Sequence, residues 1–490
     1  MGTAKARLLV SLVVITLAAP AQQYPFSPRM VIAHKMLYTL QHDSLQVLTQ
    51  QELDKTPKQA AALYLRASVR VLDLLLNYQY EQYKQQIPEL EKVADQLALL
   101  PEDNPFAKHL QSELLLGIAA LHYRYDHAMN AGLVVLKAHK LLRKNLTEFP
   151  DFAPTRLLCG IFYAEVATLP DSYQFIAGLF GFQADAQGGF AMMREAYADL
   201  AAHPQLHFLT RQYGIMYAYA HFQLTGSDEV SPLSLGMKVE ESALTIYVQA
   251  QIWLNHGYKR QAYALMRQMP QGEKYRVLPY MLYHTGKLAM AFERKEARPF
   301  LEFFIAQDRE QSYVKSACRY LCWYYLLQGQ KDSAQLMQQR ALRWGNALAD
   351  EDRQALSQMQ HPQNPSLVHA ELLFDAGAYA EAIALLEQRE AKEPFVQARE
   401  QLQYFYRLAR CHHEAGQGER AILFYKKCLQ TLPDQSSLMH ANSALYTGLL
   451  LREAQPEQAR AFFNRCLQYQ DYPYDDSVQQ RAKNELSNLP

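Results

Sequence analysis

Residues Gln401–Pro433 read QLQYFYRLARCHHEAGQGERAILFYKKCLQTLP, and this stretch decides the fold. Phe405, Leu408, Ala409 and His412 fall at helical spacing and are expected to face inward on a first helix. Gly416 ends that helix, where a left-handed cap favours a residue without Cβ. Ala421, Tyr425 and Cys428 face inward on a second helix, and Pro433 stops it. The unit is a helix hairpin. Alanine-sized residues let the two antiparallel helices approach, and bulky ones fill the gap to the next hairpin.

Outward from this unit the same slots recur. Ala262, Ala297, Ala334, Ala382, Ala421 and Ala459 are separated by 35, 37, 48, 39 and 38 residues. Gly257, Gly329, Gly377 and Gly416 each lie five residues before one of these alanines. A period of roughly 34 to 40 residues marks a helix-hairpin solenoid. The unit before carries Ala370, Leu373, Gly377, Ala382 and Leu386, and the unit after carries Ala459, Phe463 and Cys466. The order of bulky residue, small pairs and closing proline resembles the tetratricopeptide repeat (TPR). The expected fold is all-α, a right-handed superhelix of antiparallel helix hairpins.

Towards the N-terminus the helical periodicity persists but the rhythm fades. Leu114, Ile118, Leu121, Leu133, Leu136 and Leu141 recur across Asp103–Asn145, and no stretch shows the sustained alternation of a strand. The expected organisation is an irregular helical-repeat region over 22–224, a polar linker over 225–240, and a repeat region over 241–490. An insertion at 345–365 accounts for the long 48-residue gap. Within the N-terminal half, Phe149-Pro150-Asp151-Phe152-Ala153-Pro154 and Leu169-Pro170-Asp171-Ser172-Tyr173-Gln174-Phe175-Ile176 stand out, followed by Gly178-Leu179-Phe180-Gly181-Phe182 and Gly188-Gly189-Phe190. With Tyr313-Val314-Lys315 and Cys322-Trp323-Tyr324-Tyr325-Leu326, these resemble the all-helical family that includes the yeast inclusion-body clearance protein, and secreted bacterial proteins of the same layout. That resemblance implies a non-enzymatic protein with no catalytic residues to carry over.

Residues 1–21 are expected to be a signal peptide. Lys5 and Arg7 precede an eleven-residue apolar run, Leu8 to Ala18, and Ala19-Pro20-Ala21 offers small residues for cleavage before Gln22. The run is shorter than the roughly 20 residues that span a bilayer, no cysteine follows for lipid attachment, and no second long apolar run occurs. The expected location is therefore periplasmic or extracellular, with no integral membrane segment after cleavage. The cleaved chain would hold 47 Lys and Arg against 49 Asp and Glu, with no basic block. That balance argues against nucleic acid, whose binding depends on neutralising phosphates.

Six cysteines in an exported chain suggest disulfides, but their places argue for thiols. Cys318 and Cys322 are four apart on one helix, too wide for an unstrained bridge. Cys428 and Cys466 each fall seven residues after a repeat alanine, where a small apolar residue is wanted. His412-His413 would place one ring in the core and one towards the groove, so no metal site is expected. His122 and His127 are spaced poorly for one face, Glu165 reads as a helix-end or groove carboxylate, and Asn145-Leu146-Thr147 is a formal glycosylation acceptor inside a helix. Tyr173–Phe182 reads as an inserted apolar helix packed on the N-terminal repeats. No nucleotide, hydrolase or zinc-protease motif occurs, and neither a cofactor nor a catalytic residue is expected.

In this repeat pattern the outward face of each first helix lines the concave surface. Here that face carries Tyr247, Gln251, Arg319, Trp323, Glu371, Tyr406, Arg410 and His413. Aromatic and arginine side chains are favoured binding anchors. The expected function is a scaffold that binds a protein or peptide partner in the groove. The alternatives are a glycan- or small-ligand-binding envelope protein, and a hydrolase with an unrecognised site.

Overall fold

The hairpins form because each one closes on the same backbone turn. At Gly416, φ is +73°, the Gly416 N–H donates to the His413 carbonyl at 2.9 Å and the Gln417 N–H to the His412 carbonyl at 2.8 Å. This doubly bonded left-handed cap ends one helix and aims the chain back for the next. The turn repeats at Gly257, Gly329 and Gly377. Five residues after each glycine, an alanine is buried against the partner helix, and all six rhythm alanines are buried.

The computed structural model describes residues 24–76, 80–99, 101, 103–168, 178, 181–270, 272, 275, 278–432 and 437–489. All regular elements among the described residues are helical, and the chain is an all-α, TPR-like array of antiparallel hairpins. The signal-peptide reading, Pro433 and most of Tyr173–Phe182 lie outside the described residues. Among the described residues no helix is long and apolar enough to cross a membrane.

The chain divides into two compact units. The first comprises the chain up to Leu37, Gln41–Leu72 and Glu81–Tyr213; the second comprises Tyr38–Leu40, Asp73–Tyr80 and Gly214–Pro490. The helices up to this division are α1 (Pro28–Tyr38), α2 (His42–Lys55), α3 (Ala60–Leu76), α4 (Tyr80–Leu97), α5 (Pro105–Arg124), α6 (Ala128–Glu148), α7 (Ala153–Ala167), α8 (Ala186–Ala202) and α9 (Thr210–Thr225). The division falls inside α9, upstream of the expected linker at 225–240. That segment belongs to the second unit, where Ser231 and Ser234 bond each other's backbone and the Leu233 N–H donates to Gln249 at 3.0 Å.

The second unit stacks α10 (Ala243–Asn255) with α11 (Lys259–Met266), α12 (Pro279–Phe292) with α13 (Arg294–Gln307), and α14 (Val314–Leu327) with α15 (Lys331–Arg343). After α16 (Asp350–Met359) come α17 (Pro365–Asp375) with α18 (Tyr379–Lys392), α19 (Ala398–Glu414) with α20 (Gly418–Gln430), α21 (Leu438–Leu451) with α22 (Pro456–Cys466), and a closing α23 (Asp475–Asn488).

The insertion at 345–365 is thus helix α16 with its flanks, and it is fastened to the neighbouring hairpins. Asp352 caps α14, accepting from the Ser316 N–H at 3.0 Å and from the Tyr313 N–H. Glu351 accepts from Lys287 Nζ at 2.5 Å and from the Tyr283 hydroxyl. Gln358 accepts from Arg319 Nη1 at 2.8 Å. All six cysteines are buried free thiols, with burial pushing those of Cys318, Cys322, Cys428 and Cys466 up to about 12.

Candidate functional site

A cavity of about 630 Å³ opens in the second unit where the first helices of three successive hairpins converge. Helix α17 contributes Glu371, Phe374 and Asp375, α19 contributes Tyr406, Arg407 and Arg410, and α21 contributes Asn442 and Tyr446. Gln354 of α16, Tyr474, and Ser477 and Arg481 of α23 complete the wall. The Tyr474 N–H donates to Asp350 Oδ1 at 3.1 Å, so the start of the last helix is fastened to the inserted one. A smaller hollow of about 150 Å³ adjoins it and shares Gln354, Glu371, Tyr406, Arg407 and Leu438. His361, Arg399 and Gln403 continue its wall.

The wall is built by the repeat itself. Phe374, Arg410 and Tyr446 are spaced 36 residues apart and occupy one slot of consecutive hairpins. The Arg410 guanidinium lies 5.2 Å from the Phe374 ring centroid and 4.2 Å from that of Tyr446, a ladder in which each ring face attracts the cation. The same 36-residue step pairs Glu371 with Arg407 in an ion pair, and Tyr406 with Asn442, whose amide donates to the hydroxyl at 3.1 Å. Burial raises the Glu371 carboxyl, while Arg407 and Arg319 pull it back. Burial also pushes Tyr406 up to about 12. Burial works against the Arg410 charge, and the surrounding Tyr406, Tyr446, Tyr425 and Glu414 more than offset it.

Of the expected groove residues, Glu371, Tyr406 and Arg410 meet on this wall. His413 stands one turn beyond Arg410, with Nδ1 3.1 Å from the Tyr425 hydroxyl and its ring 5.4 Å from Tyr446. Tyr247 and Gln251 are half-buried on α10, Tyr247 with its ring 5.9 Å from that of Tyr280. Arg319 and Trp323 require a correction. They are not groove anchors but core residues, 3% and 1% exposed. The inserted segment occupies their face: Arg319 bonds Gln358 at 2.8 Å, and Trp323 donates to Gln363 at 3.3 Å. Sequence reasoning missed Phe374, Asn442 and Tyr446, although a 36-residue step from Tyr406 and Arg410 lands on all three.

A second polar cluster lies in the core of the first unit. The Glu113 carboxylate accepts from Tyr213 at 2.8 Å, Gln212 at 2.6 Å and Tyr64 at 2.9 Å. Consistent donor roles then run inward from both sides. Asn145 donates to Thr155 at 2.7 Å, Thr155 to His109 Nδ1 at 3.0 Å, and His109 Nε2 to the Tyr213 hydroxyl at 2.5 Å. From the other side, His34 Nε2 donates to Gln212 Oε1 at 2.8 Å. Burial raises Glu113 to about 7 against the pull of Tyr213 and Tyr64. Burial likewise holds His109 at about 3 and His34 at about 4. The formal glycosylation acceptor Asn145 is consumed in this core and fully buried. Glu165, by contrast, is exposed near the end of α7.

Neither cluster has the geometry of a metal centre, and among the described residues no group of three His, Cys, Asp or Glu could hold an ion. His412 is buried and bonds Gln417 at 2.6 Å while His413 turns to the tyrosines, so the adjacent pair diverges.

No protein-family model matches this chain, and no curated protein matches it. Among solved structures it is similar to the P58(IPK) TPR domain, at 15% identity over 84% of this chain and 97% of that one, with a TM-score of 0.22. It is also similar to a chain of the APC/C hetero-tetramer Cut9–Hcn1, at 11% identity over 92% and 95%, with a TM-score of 0.22. A third is the human IFIT1 dimer solved with PPP-AAAA, at 13% identity over 82% and 93%, with a TM-score of 0.25. The TPR-like assignment of the fold stands on the repeated turn and buried alanines described above.

Proposed function

We propose that this protein is an exported, non-enzymatic scaffold that binds a protein or peptide partner on the wall formed by α17, α19 and α21. The observation that carries this reading is the Phe374–Arg410–Tyr446 ladder beside Tyr406. It holds an arginine and three aromatic rings in fixed geometry, so a partner would lose little side-chain entropy in using them. No nucleic acid, metal or cofactor is part of this reading. Affinity purification of tagged wild type against Tyr446→Ala tests it. A stoichiometric protein partner lost in the variant supports it, and identical recovery from both overturns this wall as the site.

A second reading, a glycan or small ligand, draws on one specific observation. The bond from Tyr474 to Asp350 fastens the two ends of the wall, and about 630 Å³ is within the range that holds one small molecule. Oligosaccharides that raise the melting temperature of wild type but not of Tyr446→Ala would favour this reading, because a ligand stabilises only the state that binds it.

Export is supported by the charged, apolar and small-residue order of residues 5–21. Sequencing the N-terminus of the protein from envelope and culture fractions should give Gln22 as the first residue. An intact Met1 in the same fractions would overturn the cleavage.

A further inference from the structure

We infer that the cavity and its adjoining hollow recognise an extended acidic peptide segment through its side-chain carboxylates. This rests on the scaffold reading of the same wall and specifies the partner's chemistry. Charge complementarity points to this occupant. Each carboxylate on the wall already faces a cation. Glu371 pairs with Arg407, and Asp375 lies 3.9 Å from Lys259, whose ammonium also donates to the Asp375 carbonyl at 2.9 Å. Of the cations, Arg410 is balanced by Glu414 at 2.8 Å, but two others are not balanced in return.

Among the described residues no carboxylate pairs with Arg481 on the outer lip or with Arg399 at the far end of the adjoining hollow. Between these ends, Arg407 keeps a buried Nε with no hydrogen-bond partner. The unmet donors are therefore spread along two hollows that share five wall residues, rather than gathered at one point. A single small anion would meet one of them, and a chain with several carboxylates meets both ends. Guanidinium forks match carboxylates geometrically. Gln354 and Gln403 stand along the same wall, with amides suited to a peptide backbone.

The test uses the full chain and a fluorescein-labelled octaglutamate peptide, acetylated and amidated so that it carries no terminal charge. Octaglutamine and a single-stranded oligonucleotide of eight thymidines serve as comparators. Fluorescence anisotropy is read in low salt for wild type, Arg481→Gln, Arg399→Gln, the double variant, and Arg66→Gln in the first unit as a control. Both lip arginines are exposed, so their loss should leave the melting temperature unchanged. Octaglutamate should bind wild type and the control alike. It should weaken by about three- to tenfold for each lip arginine removed, and binding should fall with added salt.

Equal binding of octaglutamate by the double variant overturns the inference, as does equal binding of octaglutamine or tighter binding of the oligonucleotide. The scaffold reading fails separately. If a protein partner is captured, is lost in Tyr446→Ala, and persists in the double arginine variant, the wall is a docking site and the acidic-segment inference falls alone. If Tyr446→Ala captures as wild type does and octaglutamate fails to bind, both fall.

Discussion

The two units solve one packing problem by different means. In the second unit a left-handed glycine closes the turn four times, and a buried alanine follows five residues later. In the first unit the α5–α6 hairpin makes the same turn without glycine. Asp126 sits at φ +64°, the His127 N–H donates to the His122 carbonyl at 2.8 Å, and Ala131, five residues on, is buried. The hairpin geometry is thus more widespread than the glycine rhythm. What differs is how each unit makes its packing specific: a recurring buried alanine in one, and a single glycine crossing with a branched polar core around Glu113 in the other.

The largest effect is expected where the first unit packs backbone against backbone. Helices α7 and α8 cross at Gly160 and Gly189. A Cβ added at Gly189 would stand 2.7 Å from the Gly160 carbonyl oxygen and 2.8 Å from the Ala164 nitrogen. Neither can yield by a rotamer change, so Gly189→Leu must part the helices. Overpacking usually costs about 1–3 kcal/mol where side chains can adjust, and here about 3 kcal/mol or more is expected. Hydrogen exchange should show α7 and α8 losing protection. At Gly448, by contrast, an added Cβ meets the Phe463 ring at 2.6 Å, a side chain that can shift. Gly448→Ala should cost less than Gly189→Leu, and the reverse order would break the contrast between the units.

Next comes Glu113→Ala, which removes the shared acceptor of the buried Tyr64, Tyr213 and Gln212 donors and should cost about 2–3 kcal/mol. The pH dependence has a definite sign. Glu113 is raised from 4.5 to about 7 by burial, so between these values the native state holds a proton that the unfolded chain has released. Its contribution is fully present below about 4.5 and declines as pH rises through about 7. The alanine variant should therefore fall furthest below wild type near pH 5 and least near pH 8 in urea titrations. The histidines have the opposite sign. His109 and His34 are depressed from 6.5 to about 3 and about 4 by burial, so their contribution is lost as pH falls below 6.5. A deficit that grows with pH would show that Glu113 is held as a carboxylate throughout.

These contrasts explain what was legible in the sequence. Small residues announce close helix contact because nothing larger fits, so Ala421 and Gly416 could be read directly. Asp126 could not, because left-handed geometry is stated by the backbone and only hinted at by residue type. The Glu113 network draws on α1, α3, α5, α6, α7 and α9, and directly bonded members lie up to 178 residues apart. No local pattern links His34 to Gln212. On the candidate wall, Glu371, Tyr406 and Arg410 followed from the slot rule. Arg319 and Trp323 obeyed the same rule but were covered by the 345–365 segment, whose docking depends on specific bonds that periodicity does not encode.

That docking can be loosened. Asp352→Ala removes the acceptor of two backbone N–H groups at the start of α14 and should cost about 1–2 kcal/mol. Arg353, exposed on α16, then becomes a reporter. Limited trypsin digestion should cleave there faster in the variant, while sites in α19 and α20 keep the wild-type rate. Equal cleavage at Arg353 would mean that the remaining bonds, among them Glu351 with Lys287 and Gln358 with Arg319, hold the insertion in place without the cap.

The smallest effect is the sharpest on the shared turn, because two reciprocal changes must have opposite signs. At Gly416 an added Cβ meets nothing within 4 Å, so Gly416→Ala acts only through the backbone. At φ +73° a Cβ crowds the following carbonyl, with an expected loss of about 1 kcal/mol. Asp126→Gly removes that crowding in the first unit. The gain is smaller, about 0.5 kcal/mol, because aspartate tolerates the left-handed region better than most residues and glycine adds entropy to the unfolded chain. Urea melts of the two variants should move in opposite directions. If Asp126→Gly destabilises instead, the aspartate side chain contributes to the turn, and the two units share its geometry but not its cause.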